Sequence, residues 1–214
     1  MAWSRLNLPN TITIGRIAAC PAIFLLALAP SIGSQIAAFV LFLVAAFSDL
    51  WDGYLARKHG LITDVGKLLD PLADKLLLVA TFVPFYMISH RPGPAGLIPW
   101  WTVLPLWVMI VVLGREFVVT LFRQWAVRRE VVIAAGTAGK YKAFVQNLFS
   151  GGLLLWYPLQ SMARDVGWNS VLWRAFTAVH ATWVGLTLGV AIILTVYSMI
   201  DYFWSYRALI GVRG

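Results

Sequence analysis

Acidic side chains, histidine and cysteine are all scarce in this chain. Its 214 residues include nine Asp and Glu, three His and the single cysteine Cys20, and only 12% of residues are charged. One cysteine excludes an internal disulfide and a thiolate metal cluster. The charged fraction is about half that of an ordinary soluble domain. Beside 60% hydrophobic residues and a mean hydropathy of +0.79, it excludes a water-soluble domain of usual composition. Short strands of alternating polarity are missing, which argues against a membrane barrel. The first residues lack the basic region, apolar core and small-residue cleavage site of a removed signal, and Arg16 interrupts the first apolar run, so the first helix is expected to stay. There is no convincing internal repeat or low-complexity tract.

What the chain does have is a series of long, nearly uncharged runs separated by short charged or breaker-rich links. These predict an all-α integral membrane protein with six transmembrane helices behind a short N-terminal interfacial segment. Residues 1–10, with Trp3 and Arg5 ahead of Pro9, form that segment. A six-helix domain covers 11–206 and a short tail covers 207–214. The spans are expected at about 11–29, 35–49, 68–89, 98–125, 140–160 and 172–206. Their links are Pro30 with S-I-G-S, a hydrophilic stretch from Lys58 to Lys67 with Pro71 in the first turn that follows, H-R-P-G-P-A-G, and a loop over 126–139.

Six spans put both termini on one side, and fourteen of the seventeen Lys and Arg residues fall there, leaving Arg91, Arg164 and Arg174 opposite. By the positive-inside rule that side is cytoplasmic. The net charge of +8 and pI near 10 therefore point to anionic membrane lipids, and no nucleic acid partner is expected.

The scarce acids are not scattered. Asp49, Asp52, Asp70 and Asp74 sit on the borders of two apolar segments, at i,i+3 and i,i+4 spacing. Helical borders would put each pair on one face, and the two faces together would make a cup of four carboxylates. Carboxylates that close raise one another's pKa and cannot all ionise without a compensating cation. Oxygen ligands without a Cys or His cluster suit Mg²⁺ or Mn²⁺ better than Zn²⁺, with Ca²⁺ open on ligand type alone. One carboxylate of such a cluster is suited to take up a proton, although the residues themselves do not say which.

The full spacing is D-x-x-D-G-x-x-A-R, eight residues, then G-x-x-x-D-x-x-x-D, carried by Asp49, Asp52, Gly53, Ala56, Arg57, Gly66, Asp70 and Asp74. It resembles the signature of the CDP-alcohol phosphatidyltransferase family at all eight positions. The resemblance implies that Asp49, Asp52 and Asp70 are the principal metal ligands, and that Asp74 lies close to the metal and acts as the base toward the acceptor hydroxyl. It also implies that Asp52, Gly53, Ala56 and Gly66 shape the CDP pocket, with Arg57 on the pyrophosphate. The plainer reading of the glycines is close helix packing.

In the second half, G-R-E-F-V-V-T-L-F-R and G-K-Y-K-A place Arg115, Arg123, Lys140 and Lys142 at helix ends on the aspartate side. There they can clamp a second phosphate, that of the acceptor, with Glu116 pairing to a neighbouring Arg. These patches, with Asn7, Pro9, Asn10, Thr13 and Arg16 near the start, resemble the bacterial phosphatidylglycerophosphate synthases within the family. Ala143 departs from their pattern, which has threonine. Asn10, Thr13 and Arg16 are accordingly candidate site residues, since a charge inside a span is costly unless it is used or snorkels to the headgroups. No role is assigned to His59, His90 or His180.

The expected activity is metal-dependent transfer of a phosphatidyl group from CDP-diacylglycerol to glycerol 3-phosphate, releasing CMP, in a homodimer. The competing readings are phosphatidylglycerol as acceptor, giving cardiolipin, inositol phosphate as acceptor, and a divalent-cation transporter. A transporter would need acids near the bilayer midplane, not at one face.

Overall fold

The computed structural model describes residues 8–59, 63–93, 96–129 and 137–207, without the side chains at 50, 52–57, 59, 64, 67 and 137. Six helices follow in order: α1 (Leu8–Leu28), α2 (Ile32–His59), α3 (Asp64–Ser89), α4 (Leu106–Val127), α5 (Thr137–Val166) and α6 (Val171–Ser205). No strand occurs among the described residues beyond an isolated bridge between Ile98 and Thr102. Helices are what such runs must form in lipid, where every backbone group has to be satisfied within its own segment. Four of them are long and apolar enough to cross a membrane, over Leu8–Leu28, Ile32–Asp49, Leu68–Ser89 and Val171–Ser205. The outer faces agree: Val40, Val44 and Phe47 on α2, Ile110 and Phe117 on α4, and Ile193 and Ile200 on α6 are all exposed. A face of that kind is stable against acyl chains and not against water.

The bundle closes around aromatic side chains. α1 packs against α2 and α3, α5 against α6 and α2, and α4 against α6 and α3. Phe82 and Phe85 of α3 meet Phe149 of α5 at centroid distances of 5.4 and 5.7 Å, and all three are fully buried with Phe42 of α2. Because lipid is as apolar as these side chains, such contacts stabilise the fold through close packing more than through exclusion of water. Small residues permit it. A Cβ at Gly151 would stand 3.3 Å from the Phe42 ring, and one at Gly152 would stand 3.2 Å from Trp183.

Several helix ends differ from those read in the sequence. α1 begins at Leu8, taking in Pro9 and Asn10, because proline fits the first turn of a helix. α2 starts three residues early and runs unbroken through Asp49 and Asp52 to His59, and α3 starts at Asp64, so the link expected from Lys58 to Lys67 is short. Thr63 makes that start, its hydroxyl accepting from the Gly66 N–H at 3.0 Å. Pro71 consequently lies beyond the first turn of α3. α4 begins at Leu106 and not near Ile98. Pro99 and Pro105 disfavour helix in the residues before them, and Ile98 and Thr102 instead exchange two backbone hydrogen bonds of 2.8 Å. α5 is longer than expected at both ends. Residues 1–7 of the expected interfacial segment and 208–214 of the tail lie outside the described residues.

Candidate active site

The starts of α1, α3 and α5 and the far ends of α2, α4 and α6 meet at one end of the bundle, around a cleft of about 350 Å³. Asp49, Asp70 and Asp74 line it together with Arg115, Arg123, Lys140 and Lys142. The two groups of residues singled out in separate halves of the sequence thus share one cavity.

The aspartate rim is laced to α1. The Thr13 hydroxyl donates to Asp70 Oδ1 at 3.0 Å as well as to the Pro9 carbonyl at 3.1 Å. Arg16, only 4% exposed, turns inward; its Nη1 donates to Asp49 and lies 3.8 Å from Asp74. It does not snorkel. Asn10 exchanges hydrogen bonds with Thr63 at 2.9 and 3.1 Å, behind the start of α3. That pair also explains Gly66, where a Cβ would come within 2.9 Å of Asn10 Oδ1 and 3.2 Å of Thr63 Oγ1. Gly66 admits the close approach of α1 to α3. Asp52, Gly53, Ala56 and Arg57 lie on helical backbone in α2, but their side chains are outside the described residues.

The rim has the chemistry of a divalent-cation site. Its donors are carboxylate oxygens presented from two helices, with the Asp49 and Asp74 side chains 41% and 63% exposed. Among the described residues no three His, Cys, Asp or Glu side chains are arranged to hold a metal. The Arg16 guanidinium supplies positive charge between Asp49 and Asp74. Hard oxygen donors fit Mg²⁺ or Mn²⁺, and nothing in the donor set suits a softer metal.

The opposite wall is cationic and more deeply set. Glu116 of α4 accepts from Arg115 Nη1 at 3.0 Å and from Lys142 of α5, so one half-buried carboxylate fixes two cations from two helices. Lys142 and Arg115 are buried, yet Arg115 Nε has no partner among the described residues, and neither do Arg123 Nε and the Tyr202 hydroxyl. The Arg123 guanidinium lies over the Tyr202 ring, 5.7 Å from its centroid. Tyr202 is itself set by Phe122 and Phe203, at 5.7 and 6.2 Å. Buried donors without partners are costly, and the Arg115 and Arg123 guanidiniums on this wall are suited to an anion.

Sequence reasoning missed Gln146, Asp201 and Tyr202, all of which line the cleft. Gln146 had a signal, since it follows Lys142 by one helical turn; its amide donates to Thr195 Oγ1 at 3.1 Å. Asp201 had another, as an acid closing a long apolar run. Tyr202 had none, because aromatics crowd every interface of this chain. The hydroxyls of Thr120 and Ser198 also face the cleft but are donated to the carbonyls of Glu116 and Thr195, so neither stands beside a base as a nucleophile.

Comparison with known proteins places this arrangement. A family model described as CDP-alcohol phosphatidyltransferase matches residues 6–191. The chain is 34% identical to the CDP-diacylglycerol–glycerol-3-phosphate 3-phosphatidyltransferase of Bacillus subtilis, over 92% of this chain and 93% of that one. It is 33% identical to a probable phosphatidylglycerophosphate synthase of Mycobacterium tuberculosis, over 97% and 84%. It is also 35% identical to a cardiolipin synthase (CMP-forming) of Oryza sativa, over 66% of this chain and 43% of that protein.

Proposed function

Because the chain belongs to the CDP-alcohol phosphatidyltransferase family, we propose that it transfers the phosphatidyl group of CDP-diacylglycerol to sn-glycerol 3-phosphate, giving phosphatidylglycerophosphate and CMP. The observation that carries this reading is the single cleft in which the aspartates of α2 and α3 face the cations of α4 and α5. A nucleotide-activated lipid needs its diphosphate neutralised. A phosphorylated acceptor needs a second, separate set of cations.

In this reading Asp49, Asp52, Asp70 and Asp74 hold Mg²⁺ or Mn²⁺, which when bound neutralises the diphosphate and stabilises the departing CMP. Gly53, Ala56 and Arg57 lie along the nucleotide. Arg16 and Thr13 orient Asp49 and Asp70, to which they donate. Arg115, Arg123, Lys140 and Lys142 bind the acceptor phosphate, and Asp74 takes the proton from its free hydroxyl. That oxygen bonds to the phosphorus carrying diacylglycerol as the bond from this phosphorus to CMP breaks, in one displacement. The Thr120 and Ser198 hydroxyls that line the cleft are donated to backbone carbonyls and not to a base, which supports one step over a covalent intermediate.

The same reading takes all six helices as spans. α5 is less apolar than the other helices, and α4 carries Arg115, Glu116 and Arg123 within its apolar run; at 22 residues α4 is about 33 Å long, enough to cross. The cleft and both termini face the cytoplasm of a bacterial inner membrane, and the enzyme is a homodimer, which light scattering of the purified protein tests. The rice relative's name favours one second reading, phosphatidylglycerol as acceptor, which would give cardiolipin. The deciding experiment follows CMP release from CDP-diacylglycerol by purified protein with glycerol 3-phosphate, phosphatidylglycerol and inositol phosphate in turn. Turnover with glycerol 3-phosphate alone is expected; turnover with phosphatidylglycerol alone would replace the acceptor and keep the chemistry.

A further inference from the structure

A second polar cavity lies at the other end of the bundle, among the far ends of α1, α3 and α5. It measures about 250 Å³, and its wall includes Gln35, Arg91, Tyr157, Ser161 and Arg164. Among the described residues Arg91, Arg164 and Arg174 are the cations at this end of the bundle, and two of them line this one cavity from separate helix ends. Among the described residues no acidic side chain lines it.

Both guanidiniums are held in place. Arg91 Nη2 donates to the Leu28 carbonyl at 3.0 Å, at the end of α1. Arg164 donates through Nε to the Gln160 carbonyl and through Nη2 to Ser161 Oγ, both at 3.2 Å. These bonds take one N–H of Arg91 and two of Arg164, out of five on each, so the charges are positioned with donors to spare. The same wall carries an acceptor in want of a donor: the Gln35 side-chain oxygen is buried and has no partner among the described residues. A second groove of about 320 Å³ shares Arg164 and continues along Leu97, Ile98, Pro99 and Trp156. Trp100, Trp107 and Trp168 stand exposed at this end, as aromatics do at the depth of lipid headgroups.

We propose that this cavity binds the headgroup of an anionic phospholipid in the leaflet away from the cleft. Arg91 and Arg164 take its phosphate, Gln35 accepts from a headgroup hydroxyl, and the glycerol backbone follows the apolar groove. A free phosphate would satisfy the arginines but would leave both the groove and the Gln35 oxygen unused, which is why the lipid is the occupant. The site is separate from the transfer reaction and rests only on the protein's being embedded in a bilayer.

The test measures retention of dioleoyl-phosphatidylglycerol and of dioleoyl-phosphatidylcholine by the purified protein, by native mass spectrometry, in wild type and in Arg91→Gln/Arg164→Gln. Wild type is expected to retain the anionic lipid preferentially. The double variant should lose roughly tenfold in that retention, as two charge-assisted contacts would imply, while its rate of CMP release is unchanged. Equal retention of both lipids by wild type, or undiminished retention by the variant, would overturn the proposal. So would inorganic phosphate at millimolar concentration displacing the lipid completely, since that would make a free anion the ligand. Both arginines also tie down helix ends, so Gln35→Leu serves if the double variant does not fold. It should weaken retention of phosphatidylglycerol by a few-fold, and unchanged retention there would equally sink the idea.

Discussion

The aspartate rim of the cleft comes from one stretch of chain, Asp49 to Asp74, and its carboxylates stand open to the cavity. The cations of the other wall come from α4 and α5 and reach deeper, with Lys142 3% and Arg115 8% exposed around Glu116, Arg123 half-buried and Lys140 exposed. The openness of the rim suits groups that must take up a cation and a proton. The depth of the wall suits groups that must keep their positions and discriminate, because buried charges lose less to solvent screening. In the proposed division of labour the rim drives the chemistry and the wall selects the acceptor.

The largest break should come from the rim. Asp70→Asn is expected to lower CMP release by roughly a thousandfold, the scale of losing a metal ligand's electrostatic contribution, with folding retained. Asp74→Asn, tested in the same assay, should lose about a hundredfold to ten-thousandfold if it is the base. Loss of less than tenfold in either would remove that residue from the rim's role.

Next comes the organiser of the wall. Glu116→Ala leaves Lys142 and Arg115 buried without their shared carboxylate, and a broken buried pair costs about 3 kcal/mol. Thermal unfolding in detergent should show the loss, with Glu116→Gln milder because it keeps an acceptor. Arg123→Gln should act on selection alone, raising KM for glycerol 3-phosphate about tenfold with kcat nearly unchanged. The smallest effect belongs to Tyr202, which lines the cleft beside Arg123. Tyr202→Leu should raise the same KM by about two- to fivefold, the scale of a cation–π contact, and Tyr202→Phe, which keeps the ring, by less.

The same contrast explains what could be read from the sequence. The rim was legible because helix periodicity fixes neighbours three and four residues apart, so Asp49, Asp70 and Asp74 could be placed before any coordinates. Arg16, a helix away, announced itself as a charge inside a span, while Thr13 entered only through the resemblance of the opening motif. The wall was legible only in part. Arg115, Arg123, Lys140 and Lys142 appeared as helix-end cations, but their meeting with the rim depends on how α4 and α5 pack. No local pattern encodes that packing, nor the pairing of Glu116 with Lys142 across 26 residues. The start of α4 was misplaced for a related reason: hydropathy sees the apolar residues after Ile98, while Pro99, Pro105 and the paired backbone of Ile98 and Thr102 decide the conformation.

The central claim is that the two walls divide the work, and one ratio measures it: kcat/KM for glycerol 3-phosphate over kcat/KM for glycerol, in wild type, Asp74→Asn and Arg123→Gln. The account predicts that Asp74→Asn depresses both terms together and leaves the ratio standing, while Arg123→Gln collapses it by lowering only the phosphorylated acceptor. A ratio that survives Arg123→Gln and falls with Asp74→Asn would contradict it.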